Sequence, residues 1–130
     1  MKPRLLLAVV LVIASCTQSE SLRQMSDRVF ERAVVQSILL DSQLAENEFP
    51  RSFTDSTLIK SNCEWWCSGF FPGTLWYIYE YTGNEEILSL ARKQTAKLYG
   101  LYGKKTDHDI GFQVMSSFGN GYRLTGDMTY

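Results

Sequence analysis

The sequence has 130 residues, of which 45% are hydrophobic, with 13 basic against 14 acidic side chains and a net charge of −1. That apolar content excludes a disordered chain, and the near-balanced charge gives no support for binding nucleic acid or an anionic membrane surface. Removing residues 1–15 takes away Lys2 and Arg4 and no acid, which moves the balance further toward negative.

In chain order, Lys2 and Arg4 precede an apolar run from Leu5 to Ala14, then Ser15 and Cys16. The run is too short to span a bilayer and reads as a secretory signal. Ile13-Ala14-Ser15-Cys16 resembles the bacterial lipobox, so residues 1–15 are expected to be a cleaved signal peptide and Cys16 a lipidation site. The plainer alternative is an ordinary signal peptide cut nearby, with Cys16 incidental. Residues 16–22 read as a polar tether. The expected location is a bacterial membrane by lipid anchor, facing the periplasm or the cell surface.

Met25, Val29, Ala33, Leu40 and Leu44 recur at helical spacing from Leu22, and Pro50 closes this first segment. Phe49 to Ser68 is polar and irregular and reads as a long loop. A second helix is expected from near Pro72 through Leu75, Ile78 and Tyr79 to Thr82, with Gly83 as its left-handed stop. Asn84 can cap a third helix carrying Glu85 and Glu86 in its first turn and burying Ile87, Leu88, Ala91 and Leu98, with Gly100 and Gly103 at its end. Asp109 can cap a fourth, with Ile110, Val114, Phe118 and Tyr122 at intervals of four, ending at Thr125-Gly126-Asp127. No strand is expected.

Two of these helices look like copies. Gly69-Phe70 leads to Thr82-Gly83-Asn84, and Gly111-Phe112 leads to Thr125-Gly126-Asp127, at offsets of 42 and 43 residues. A helical hairpin repeated at that period buries its apolar face only by stacking, so the fold class is all-α, an open solenoid or a closed toroid. Six units would need about 258 residues, so residues 23–130 read as the N-terminal part of such a domain.

Several residues have chemistry to offer. The aromatic stretch from Trp65 to Tyr81 is mostly core, but Trp65 and Trp66 sit in the loop before a helix, where an indole can present a flat face to a sugar or fold back on the domain. Asp107-His108-Asp109 gathers two carboxylates and an imidazole at a helix start, on the same side as Trp66 if the copies align. The default role for such an aspartate is an N-cap. Carboxylates and aromatic platforms at one end of a toroid suit glycoside chemistry, which delivers a proton and stabilises a cationic transition state. Ser68 with His108 is a weak hydrolase pair, because no nucleophile elbow surrounds the serine. Cys63 and Cys67 are able to pair in an exported protein, and with one distant His108 they supply too few ligands for zinc, so no metal is expected. No phosphate loop or dinucleotide fingerprint appears, and no cofactor is expected.

Trp66-Cys67-Ser68-Gly69-Phe70-Phe71-Pro72-Gly73-Thr74-Leu75-Trp76, Tyr79-Glu80-Tyr81-Thr82-Gly83-Asn84-Glu85 and His108-Asp109-Ile110-Gly111-Phe112 together resemble the N-terminal third of the unsaturated glucuronyl hydrolases, glycoside hydrolase family 88. The resemblance runs from about Phe49 to Asp127. It implies an (α/α)6 toroid, present here incompletely, acting on lyase-generated oligosaccharides that end in a Δ4,5-unsaturated uronic acid. It further implies vinyl ether hydration with two aspartates, the first being Asp109 and the second, the proton donor, lying beyond Tyr130. Trp66 is similar to the family's stacking tryptophan, and His108 is a substrate-side neighbour with a positioning hydrogen bond as its plain role. Cys67 departs from the threonine common in the family. The related unsaturated rhamnogalacturonyl hydrolases, and a non-catalytic helical repeat that binds glycans or proteins, are the alternatives.

Overall fold

The computed structural model describes residues 20–104 and 108–130. The signal peptide, Cys16, most of the tether and Asp107 lie outside the described residues. The elements in order are α1 (Leu22–Asp41), β1 (Phe49–Thr54), β2 (Thr57–Ser61), α2 (Phe70–Thr82) and α3 (Glu85–Ala96). A 3-10 turn (Lys97–Leu101), α4 (Ile110–Val114), a π-helical turn (Met115–Gly119) and α5 (Asn120–Thr125) complete it. No described helix is long and apolar enough to cross a membrane.

Helix α1 starts from a capping box, in which the Ser21 hydroxyl accepts from the Gln24 backbone and the Gln24 side chain accepts from the Ser21 backbone N–H. Its buried stripe differs from the one expected. Phe30, Ala33, Val34, Ile38 and Leu40 pack on the core, whereas Met25 and Val29 are exposed. The helix ends at Asp41 instead of at Pro50, where the Ser42 hydroxyl and the Gln43 amide donate to the Leu39 carbonyl and the Asp41 carboxylate is drawn inward. It accepts from Lys93 Nζ at 2.8 Å and from Gln94 Nε2 at 2.5 Å, which fastens the end of α1 to α3.

The expected loop contains an antiparallel hairpin, so the chain is mostly rather than wholly helical. Strands β1 and β2 pair from Phe49↔Ser61 to Thr54↔Thr57 around a two-residue turn in which Asp55 and Ser56 both have positive φ, 47° and 63°. Two left-handed residues give the twist that short hairpins need. Apart from Phe49, 1% exposed, β1 buries little, so it shows no alternation of apolar and polar residues.

Helices α2 and α3 form the centre. Leu75, Trp76, Ile78, Ile87, Leu88 and Ala91 are buried together, and the Trp76 indole N–H donates to Thr95 Oγ1 at 3.0 Å. Gly83 takes φ +64°, and the Asn84 side chain accepts from the backbone of Glu86 and Ile87 at 2.9 and 3.0 Å. A second, smaller cluster holds Phe49, Leu98 and Leu101, with Leu98 in the 3-10 turn just past the end of α3.

The two copies agree in their hydrogen bonds. At the end of α2, Gly83 N donates to Tyr79 O, Thr82 Oγ1 to Ile78 O, and Asn84 N to Thr82 Oγ1. At the end of α5, Gly126 N donates to Tyr122 O, Thr125 Oγ1 to Gly121 O, and Asp127 N to Thr125 Oγ1. The second copy is one residue longer, and it contains the π-helical turn Met115–Gly119, the backbone form taken by a single added residue in a helix. Side chains satisfy carbonyls around this turn. Ser117 Oγ donates to Gln113 O and Asn120 Nδ2 to Ser116 O, while Ser116 Oγ reaches Phe112 O.

This added residue also defeats the expected apolar stripe. Gln113, Ser117, Asn120 and Gly121 are buried, while Val114 and Phe118 are half-buried and Tyr122 is exposed. The polar face goes inward because α2 and α4 approach closely. A Cβ on Gly69 would lie 2.3 Å from Gln113 O, and one on Gly73 would lie 2.8 Å from Ser116 O, so only small side chains fit at the crossing.

Candidate functional site

Trp66 and Asp109 both precede helices that cross near their N-terminal ends, α2 and α4, and the crossing brings their two loops to one side of the molecule. Phe70, the first residue of α2, connects them. Its ring meets Trp66 edge-on with centroids 5.5 Å apart. It also lines a shallow cavity with His108, Gly111, Phe112, Met115 and Ser116.

The two loop tryptophans resolve differently. Trp65 folds back, half-buried, with the Arg51 guanidinium 3.8 Å above its ring. Trp66 is 44% exposed and presents ring surface to solvent beside an exposed Phe70. Exposed aromatic faces of this kind suit the C–H-rich face of a pyranose.

Asp109 occupies the N-cap position of α4 but takes an αR conformation, φ −79° and ψ −10°, and its side chain makes no capping hydrogen bond. The expected cap is therefore absent. The backbone carbonyl of Asp109 begins the helix instead, accepting from Phe112 N at 2.9 Å and Gln113 N at 3.2 Å. The carboxylate is partly covered, 22% exposed, and Oδ1 lies 3.4 Å from His108 Nε2. The imidazole of His108 is 92% exposed, so it sits at the rim of the cavity. A rim imidazole and a half-sheltered carboxylate can receive the hydroxyl and carboxylate groups of a sugar acid.

No motif marks Gln113 in the sequence. This side chain, 1% exposed, has Nε2 at 2.9 Å from each of Cys63 O, Trp65 O and Ser68 Oγ, its two N–H groups shared among the three acceptors. A lone glutamine among serines has no motif value, and only its burial under the Trp66 loop distinguishes it. Ser68, also 1% exposed, donates to Cys63 O at 2.8 Å, so its hydroxyl is a structural link and not a nucleophile. Cys63 and Cys67 carry free thiols. Among the described residues, no group of three or more His, Cys, Asp or Glu side chains is arranged to hold a metal ion.

Bidentate hydrogen bonds from Arg123 to Glu80, both at 2.7 Å, join α5 to α2 on the outer surface. The guanidinium holds the Glu80 carboxyl below its ordinary range.

No protein-family model matches the chain. Over 94 residues it is 35% identical to an unsaturated glucuronyl hydrolase of Formosa agariphila, an alignment that covers 71% of this chain and 24% of the relative. It is 28% identical over 99 residues to an unsaturated chondroitin disaccharide hydrolase of Streptococcus pneumoniae, covering 72% of this chain and 25% of that protein. The crystal structure of an unsaturated glucuronyl hydrolase specific for heparin superposes with a TM-score of 0.74 at 36% identity, covering 79% of this chain and 28% of the other. The chain thus spans about a quarter of the length of the curated relatives it matches. Sequence and fold agree with the resemblance read from the motifs, and the helical hairpins are those of an (α/α)6 toroid with a small β-hairpin added.

Proposed function

We infer, for a chain that is of unsaturated glucuronyl hydrolase type in sequence and in fold, that the whole protein is a glycoside hydrolase acting on Δ4,5-unsaturated uronic acids at the non-reducing ends of oligosaccharides. The observation that carries this reading is the cavity at the α2–α4 crossing, lined by Phe70 and His108, with the exposed Trp66 ring against Phe70 and the Asp109 carboxylate beside His108.

The reaction is hydration of a vinyl ether. A carboxylic acid delivers a proton to C4, an oxocarbenium-like cation develops at C5 and the ring oxygen, and water adds at C5. The resulting hemiketal opens and releases the next sugar. In this scheme Trp66 stacks on the uronate ring and orients it. Asp109 accepts from a sugar hydroxyl and, by its negative charge, keeps a facing carboxylic acid protonated near neutral pH. That second carboxylic acid belongs to a later repeat of the toroid, so residues 1–130 alone are expected to turn over nothing. His108 assists at the rim by a hydrogen bond to substrate.

Export as a lipoprotein anchored through Cys16 fits this chemistry, because the products of polysaccharide lyases arise outside the cytoplasm. The protein is proposed to work at the periplasmic or outer face of a bacterial membrane, with no cofactor.

The 4,5 double bond absorbs in the ultraviolet and the product does not. The full-length protein is expected to bleach unsaturated disaccharides from glycosaminoglycans. Bleaching only pectin-derived unsaturated rhamnogalacturonyl disaccharides would move the assignment to that related type. Binding without bleaching of either would leave a glycan-binding protein.

A further inference from the structure

We propose that Gln113 is a positioning residue that fixes the Trp66 platform relative to the Asp109 carboxylate, a proposal that rests on the glycosidase reading above. Gln113 touches both halves of the site. Its backbone N–H donates to the Asp109 carbonyl at 3.2 Å, one turn back along α4. Its side-chain amide donates at 2.9 Å to Trp65 O, the carbonyl of the peptide bond that carries Trp66.

The remaining bonds close the loop. The same amide reaches Cys63 O and Ser68 Oγ, and the Ser68 hydroxyl donates on to Cys63 O. Two carbonyl acceptors leave no doubt about which end of the amide faces the loop, since a carbonyl cannot donate. One buried side chain therefore gathers the turn from residue 63 to residue 68 around itself.

Within the turn Ser68 N donates to Trp65 O at 2.9 Å and Trp65 N to Asn62 O at 3.3 Å, and Gln113 is a buried side chain that reaches it from another element. Glu64 pairs with Lys104 and Trp65 lies under Arg51, but these contacts are at the surface, where ion pairs and cation–π contacts contribute little. The Trp66 ring itself meets only the edge of Phe70 among the aromatic side chains, and 44% of the residue is exposed. The backbone that carries this ring is what the Gln113 amide holds. A buried amide is costly unless its hydrogen bonds are made, and an apolar side chain of similar size would fill the space without that requirement. The polar choice at 113 is explained by the loop it orders.

The test uses the full-length protein and Gln113→Met, which keeps volume and removes the donors. If Gln113 acts through Trp66, KM for an unsaturated disaccharide rises about tenfold and more than kcat falls, as for a misplaced binding platform. In the Trp66→Ala background the same substitution then adds little, because the group it positions is gone. Amide hydrogen exchange across residues 62–69 is expected to quicken in Gln113→Met, and this readout stands whether or not the sugar is turned over. If Gln113→Met does not fold, Ser68→Ala, which removes one of the three acceptors, is expected to give the same changes more weakly. Unchanged loop exchange would overturn the proposal. So would a KM penalty that adds in full to that of Trp66→Ala. Failure of the wild type to bleach any unsaturated disaccharide would instead overturn the glycosidase reading, and loop exchange would still decide whether Gln113 holds the turn.

Discussion

Replacing Gly69 by alanine is the sharpest structural perturbation available, because the contact it creates is with backbone. A Cβ at this position would lie 2.3 Å from Gln113 O, 2.5 Å from Gln113 Cα and 2.8 Å from Gln113 C. None of these atoms can rotate away, so α2 and α4 must separate by about 1 Å to restore ordinary contacts. Overpacking of this kind costs about 1–3 kcal/mol, and the backbone location of the clash favours the upper end. Gly69 has φ −74° and ψ −13°, a conformation alanine adopts freely, so helix propensity offsets at most about 1 kcal/mol. The expected net loss is about 2 kcal/mol, read as a lower urea midpoint with unchanged slope in the full-length protein. Gly111→Ala is the control, since a Cβ there meets nothing within 4 Å. It is expected to leave stability unchanged or raised by up to about 1 kcal/mol. Equal midpoints for the two variants would refute the close crossing of α2 and α4.

Asn84→Ala removes the acceptor for the Glu86 and Ile87 amides and is expected to cost about 1 kcal/mol in the same unfolding experiment. Arg123→Gln is expected to return the Glu80 carboxyl to the ordinary range in a carbon NMR titration, because the guanidinium hydrogen bond is what lowers it. The sign follows from a folded-state pKa below the unfolded one. The contribution of this exposed pair is complete above about pH 4.3 and is lost as pH falls through the lowered value, so the variant loses less stability on acidification than the wild type.

Much of the helical core was legible because its signals are local. Gly83 as a stop, Asn84 as a cap and the Leu75–Ile78 and Ile87–Ala91 faces need only a turn or two of chain to be recognised. The β-hairpin was hidden for the opposite reason. Its turn is Asp55-Ser56 without glycine, and its strands face solvent, so neither turn chemistry nor alternation marks it. Around α4 and α5 the four-residue spacing misled, because the π-helical turn shifts the face and because close helix approach selects Gln113, Ser117 and Gly121 for the interior. Asp109 is marked by its motif, but the capping role its position suggests is absent, since the αR conformation turns its side chain out of capping geometry. Gln113 could not be found at all, because its significance lies in contacts with residues 45 to 50 positions away.

Whether Asp109 serves chemistry or the fold is separated by one comparison. The full-length wild type and Asp109→Asn would be followed by ultraviolet bleaching of an unsaturated disaccharide, with urea unfolding of both. Asparagine matches aspartate in size and keeps one acceptor oxygen, so the substitution is expected to change stability by about 1 kcal/mol or less. Turnover near neutral pH is expected to fall by about a hundredfold or more, the scale of general acid catalysis, because the facing acid loses the charge that keeps it protonated. Undiminished kcat in a folded Asp109→Asn protein would show that the Asp109 carboxylate takes no part in turnover.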